Sequence, residues 1–476
     1  MTTKRYIRLF FAVLLINLFT SCDKFLEVET VGRTTMPNFF SNVDGLKAGL
    51  TGTYSQMYNY YSSEFYKYPE VAGNMVDLRI ISENAEMVDQ FNFTSDPEQE
   101  VGAVGGIWKK IYKTLANANN LLEYQPALLI SYPQEKATLD NIRAQALFIR
   151  ALCHFDLCRV YSQPYNYTSD ASHLGIPVLT RTPGPDDNPS RNTVKEVYDQ
   201  IIKDLLEAEE LFGNTPMRDA YHASKKSTQA LLSRVYLYTE NWDKAIEYAT
   251  KVIDNSDLAY GDDYLAMYNN LTEGKESILR LNGTLKSVSL GKFYSPLDPI
   301  AMPADTLISL FDTSDIRFQL FEQDKNNPSK YATSKYSIKV DYSIGNERYD
   351  PIILRVSEMY LNRAEAYLNK NDLTNSASDL KVIIARAMNI NETDVLLNYS
   401  NKEDLFDLIK KERAKELCFE GHNFFDIVRQ KDDLVRGNST NSIVKYLPYP
   451  NDEFVLPISK YEIDANLNII GNPSVN

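Results

Sequence analysis

Apolar residues recur every three to four positions through most of this chain, the spacing that gathers them on one face of an α-helix. Residues 104–123 read VGGIWKKIYKTLANANNLLE, with Ile107, Trp108, Ile111, Tyr112, Leu115, Ala118 and Leu122 on one stripe. Residues 134–161 align Leu139, Ile142, Ala146, Ile149, Cys153, Leu157 and Val160 in the same way, and 193–212 align Val194, Val197, Ile201, Leu205 and Ala208. The same period predicts helices over 44–60, 225–239, 243–253, 354–369, 374–387, 402–420 and 424–430. Only ENW separates 239 from 243, and only KNDL separates 369 from 374. Connections that short make antiparallel helix pairs.

An interior of Ala and Tyr between short paired helices is the pattern of helical repeats. ALLSRVYLYTENWDKAIEYATKVI (230–253) resembles a tetratricopeptide hairpin, with Ala230, Tyr236, Trp242 and Ala245 alternating small and bulky where two helices close. MYLNRAEAYLNKNDLTNSASDLKVIIARA (359–387) resembles a second copy. The copies are not consecutive, so a plain solenoid array is not expected. Two segments, 61–100 and 256–351, lack helical period. The second is rich in Gly, Pro, Asn, Ser and Tyr and holds one alternating stretch, KYSIKV (335–340), that reads as a strand. Their aromatic content argues against disorder, and connections of that length inside a compact unit are commonly functional. Residues 162–192, with LGIPVLT and the turn-rich TPGPDDNP, form a third connection.

The N-terminus changes the picture. Lys4, Arg5 and Arg8 precede an apolar run from Leu9 to Leu18, broken only by Asn17, that stops at Cys22. The run falls short of the roughly 20 apolar residues of a membrane span and reads as the core of an export signal. Thr20 and Ser21 before Cys22 resemble a bacterial lipobox, although Phe19 stands where Leu is preferred. Residues 1–21 are thus expected to be removed and Cys22 to be acylated. The remaining chain carries 47 basic and 64 acidic residues, a net charge of about −17. That balance lacks the basic footprint that nucleic-acid binding needs.

Three thiols remain, Cys153, Cys158 and Cys418, too few for a disulfide framework. Cys153 and Cys158 point about 140° apart on a helix and cannot share a metal. His154 and Cys158 share a face, but two ligands without a third read as core.

Several stretches together resemble the SusD/RagB family. They are SCDKFLEVE at the start, RAQALFIRALCHFDLCRVYSQPY (143–165), LGIPVLT (174–180), SRNTVKEVYDQIIKDLLEAEELF (190–212), TLISLFDTSDIRFQLF (306–321) and KERAKELCFEGHNFFDIVRQ (411–430). The chain departs from the family at Asn423, where Arg is usual, and at Gln430, often Trp. The resemblance implies a mainly α fold. Tetratricopeptide-like repeats would form a right-handed superhelical scaffold, with long loop-rich segments and a few short strands. Residues 22–476 would make one SusD-like domain, with repeats within 44–254 and 354–430 and ligand-face segments 61–100 and 256–351. It implies a lipid-anchored protein on the outer face of a Bacteroidetes outer membrane. Such a protein captures an oligosaccharide and delivers it to a partner SusC-like TonB-dependent transporter. A peptide-binding member of the family is the alternative, and a surface glycosidase a weaker one.

No catalytic constellation stands out. VGAVGG (101–106) follows no strand and reads as a turn at a helix start, not a phosphate loop. The charges of ERAKE (412–416) and EGHNFFD (420–426) are expected to pair with one another. A glycosidase needs two carboxylates about 5–9.5 Å apart, and nothing singles out such a pair. No enzyme activity, cofactor or metal is expected. Trp108 falls on a packed helix face and Trp242 at a repeat hairpin, so stacking on a sugar would rest with Tyr or Phe of the loops. The resemblance places the ligand where 61–100 and 256–351 converge, with Tyr66, Tyr68, Asp77, Arg79, Phe293 and Tyr294 as candidate contacts.

Overall fold

The computed structural model describes residues 34–79, 86–269, 274–325, 327–341 and 346–473. The expected signal peptide and Cys22 lie outside the described residues.

The periodic segments are helices close to their expected bounds. α1 (Val43–Tyr61) is followed by the short α2 (Glu64–Val71), then α3 (Gly102–Ser131), α4 (Lys136–Tyr161), α5 (Val194–Phe212), α6 (Lys225–Tyr238) and α7 (Trp242–Ile253). After the long insertion come α8 (Val356–Asn369), α9 (Leu373–Met388), α10 (Lys402–Leu417) and α11 (Asn423–Arg429). The protein is mainly α, with tetratricopeptide-like pairs. Each of α3 to α9 packs on the next, and α1 covers α3. α7 lies directly on α8, although 102 residues separate them in sequence. The array expected to be interrupted is therefore continuous in space, and the insertion is looped out of it.

The two hairpins close alike. Ser233 Oγ donates to Ala245 O at 3.3 Å, and Ser376 Oγ donates to Ala364 O at 2.8 Å. Tyr236 stacks on Tyr248 with centroids 5.6 Å apart. Arg234 joins the hairpins through a buried bidentate pair with Glu358, both bonds 2.6 Å. Trp108 is buried against Tyr161, and Trp242 is half-buried. The three thiols are buried and free, and His154 Nε2 accepts from Leu179 N at 3.1 Å, holding the 162–192 connection against α4. Burial lowers the His154 pKa to about 3, so the ring is neutral.

α5 begins with a capping box in which Thr193 and Glu196 satisfy each other's backbone N–H groups. Replacing Thr193 by Ala is expected to cost about 1 kcal/mol, read as a shift of the urea midpoint.

The strands are short: β1 (Val76–Leu78), β2 (Ser277–Arg280), β3 (Ala301–Pro303), β4 (Phe321–Gln323), β5 (Tyr331–Thr333), β6 (Lys339–Asp341), β7 (Asn346–Arg348), β8 (Ile352–Arg355), β9 (Leu434–Val435) and β10 (Tyr446–Leu447). All pair antiparallel as β1–β3, β2–β8, β4–β5, β6–β7 and β9–β10. β2–β8 clamps the insertion where it leaves and rejoins the helices. The strand expected over 335–340 begins only at Lys339, because the chain turns at Lys335 and Tyr336. Lys335 Nζ points inward and meets Glu420 Oε1 at 2.7 Å.

That lysine belongs to a buried ion cluster beneath the clamp. Arg355 reaches Glu276 at 2.9 Å and Glu420 at 2.7 Å, and Arg317 reaches Glu416 at 2.9 Å. Glu416 also meets Arg355 and Arg386 through its other oxygen. The acids of the 412–426 motif pair only partly with one another's bases, as in Arg413–Asp426 at 2.7 Å. Glu416 and Glu420 instead hold cations from 317, 335, 355 and 386, tying the insertion to α9 and α10.

Candidate functional site

α2 stands where the sequence predicts no helix. Every residue from Phe65 to Val71 is buried, so the segment has no polar face and shows no helical period; Pro69 masks it further. Its aromatic rings are core. Tyr66 OH donates to Ile352 O at 2.6 Å, and its ring meets Tyr61 and Tyr336 edge-on. Tyr68 packs edge-on against Phe424 and Phe425. Phe293 lies under Lys67 Nζ, 4.6 Å from the ring centroid, and Tyr294 stacks on Tyr336 at 5.5 Å. All four candidate rings are at most 3% exposed. This corrects their reading as surface stacking platforms: each is packed into the hydrophobic core.

The two segments do meet, through these rings and through β1–β3. The register pairs Val76 with Pro303, Asp77 with Met302 and Leu78 with Ala301. Arg79 N donates to Ile300 O at 2.8 Å, which extends the pairing by one bond. Just beyond it the Arg79 guanidinium, half-buried, pairs with the exposed carboxylate of Asp298. Its Nε is buried without a partner among the described residues. Asp77 is buried, and burial pushes its carboxyl up against the lowering effects of Thr440 and Lys330. At the edge of β3, Lys330 Nζ meets Asp305 at 2.7 Å.

A third segment completes this face. Asn441 Nδ2 donates to Leu78 O, and Ile443 N donates to Asn92 Oδ1 at 3.1 Å. Leu297 and Ile443 are 68% and 75% exposed. At the end of β1 a fork of guanidinium donors and a carboxylate acceptor thus stand beside exposed Leu297. Vicinal hydroxyls and C–H faces can be met by such a set. Asp298, Leu297, Asn441 and Ile443 were not among the residues expected from sequence. The polar run GNSTNS (437–442) marks a loop, but nothing local says that it returns beside β1.

Glu70 anchors the adjoining turn. Its carboxylate accepts from the N–H groups of Phe419, Gly421 and His422 at 2.9, 2.9 and 3.0 Å. Burial raises its pKa to about 7 against those donors. Gly421, at φ 79°, lies so close to the Tyr66 ring that a Cβ would sit 2.8 Å from it. Elsewhere a hollow of about 540 Å³ lies between α1, α4 and residues 215–224. Tyr54 OH there donates to Gln145 and accepts from Ala223 N, both at 2.7 Å. Among the described residues no group of His, Cys, Asp and Glu is placed to hold a metal ion, and no helix is long and apolar enough to cross a membrane.

Residues 24–237 match the family model described as starch-binding associating with outer membrane, and residues 321–474 match that of the SusD family. The chain belongs to the SusD family. Along nearly its whole length it is similar to SusD-like protein P2 of Formosa agariphila, 26% identical over 98% of this chain and 99% of that one. A SusD superfamily protein from Bacteroides thetaiotaomicron superposes with a TM-score of 0.80 at 27% identity, over 91% of this chain and 100% of that one. A SusD-like carbohydrate binding protein from Bacteroides vulgatus shares the fold, with a TM-score of 0.75 at 21% identity over 90% and 97% of the two chains. Carbohydrate binding and association with the outer membrane are thereby supported for the SusD family as a whole.

Proposed function

We propose that this SusD-family chain is a surface lipoprotein that captures an oligosaccharide and delivers it to a TonB-dependent transporter of the outer membrane, without transforming it. Cys22 carries the lipid anchor, and the chain faces outward. The observation that carries the binding step is the Arg79–Asp298 pair, beside exposed Leu297 at the end of β1 where Asn441 also reaches the Leu78 carbonyl. Arg and Asp together give donors and acceptors to neighbouring hydroxyls, and an apolar side chain such as Leu297 covers the ring's C–H face. The carbohydrate binding named for the Bacteroides vulgatus neighbour supports the same ligand class. The continuous helix array offers an extended surface for a protein partner.

Replacing Arg79 or Asp298 by Ala is expected to weaken oligosaccharide binding by about 1 kcal/mol or more each, the scale of a significant contact. Calorimetric titration of the folded variants measures it. Unchanged affinity in both places the ligand elsewhere.

A further inference from the structure

A cavity of about 300 Å³ opens at the other end of β1 from Arg79. Asn74, Met75 and Leu310 form one side of it, and Arg413, Leu417 and His422 form another. Most of its wall is apolar. Three polar atoms of these lining residues are buried and have no hydrogen-bond partner among the described residues: Arg413 Nη2, His422 Nδ1 and Asn74 Oδ1. Arg413 is 2% exposed and His422 5%.

The other Arg413 nitrogens are engaged. Nε donates to Asp426 at 2.7 Å and Nη1 to Asn362 at 2.8 Å. Asp426 is shared with Arg429 Nε at 2.8 Å, so its charge is already countered. Lys410 is matched by Asp432 and Asp407. Lys411, exposed at the rim, has no ion-pair partner among the described residues. The lining therefore holds Lys410, Lys411 and Arg413 against Asp426 and Asp432, a positive surplus in a strongly acidic chain. Burial and the nearby arginines hold His422 well below the usual imidazole range, so its ring is neutral.

A guanidinium N–H and the N–H of a neutral imidazole in one lining suit a carboxylate. The amide oxygen of Asn74 requires a donor from the same ligand, such as a hydroxyl. Apolar walls suit the C–H face of a ring. The volume lies at the lower end of the range for ligand pockets, about 300–1,000 Å³, enough for one ring rather than a chain. We propose that this cavity binds a single hexuronate unit, its carboxylate on Arg413 Nη2 and His422 and a ring hydroxyl on Asn74. The inference deepens the glycan-capture reading and rests on it: it specifies an acidic sugar unit at a subsite apart from the Arg79 face.

The test uses the mature full-length chain and monosaccharide probes. Glucuronate and galacturonate are titrated against glucose, galactose and N-acetylleucine by ligand-observed NMR. At least one uronate is expected to bind ten or more times tighter than its neutral counterpart and than N-acetylleucine. Ala414→Phe and, from the opposite wall, Leu310→Trp each fill the cavity, and either one that folds is expected to abolish uronate binding. No uronate binding, equal binding of the neutral sugar, tighter binding of N-acetylleucine, or uronate binding that survives the filled cavity overturns the inference. Neutral oligosaccharide binding that is lost in Arg79→Ala but kept in Ala414→Phe would leave the glycan-capture reading standing when this one fails.

Discussion

Replacing Glu416 by Ala should lower the unfolding free energy by about 3–5 kcal/mol, because removing one partner strands buried charge. Glu416 is fully buried and faces Arg317, Arg355 and Arg386 at once. Without it the three guanidinium groups repel one another with no water to screen them. The loss should also loosen the insertion, since Arg355 closes β8 and Arg317 belongs to the loop beyond β3. Urea unfolding measures the change, and a cost below about 1 kcal/mol would show that the cluster relaxes. The pH dependence follows in sign. Burial favours the neutral acid, but Arg386, Arg355 and Arg317 outweigh it and hold Glu416 well below the ordinary carboxylate range. Glu420 is lowered in the same way by Arg355 and Lys335 against burial. Such groups stabilise the fold fully above the ordinary Glu value, and the contribution is lost as pH falls through their depressed folded values. The gap between the wild type and Glu416→Gln should therefore be widest near neutrality and should close in strong acid.

The second large effect concerns Cys22. Acyl chains partition into a bilayer with about 0.8 kcal/mol per methylene, so two or three of them fix a protein to the membrane in practice. Cys22→Ala should move the chain from the membrane fraction to the soluble fraction and end incorporation of a lipid label. A variant that stays labelled and sedimenting would locate the anchor elsewhere.

The helical array was legible in the sequence because its information is local. Each stripe of apolar positions, each cap such as Thr193 and each short turn acts within a few residues. What sequence could not show was adjacency. α7 and α8 touch across 102 residues, and only the three-dimensional path makes the repeats consecutive. α2 was hidden for the opposite reason: it is buried all round, and a helix without a polar face has no period to detect. The candidate site divides along the same line. Composition pointed to segments 61–100 and 256–351, and they do meet at β1–β3. Their Tyr and Phe residues drew attention because rings can stack on sugars, yet the same rings are what these helix-poor segments use as core. Tyr66, Tyr68, Phe293 and Tyr294 therefore moved inside, while Arg79 stayed at the surface. Its partner Asp298 lies 219 residues away, and no spacing rule connects the two. The Arg413–His422 cavity was equally hidden, because the motif that contains it reads as internal ion pairing.

The most direct test of the central reading is calorimetric titration of the mature chain with a panel of oligosaccharides and a pool of peptides, with the recovered ligands sized afterwards. The account predicts saturable binding of an oligosaccharide, recovery of that oligosaccharide at its original length, and weakened binding in Arg79→Ala. Saturable binding of peptides alone, or shortening of the sugar by the pure protein, would contradict it.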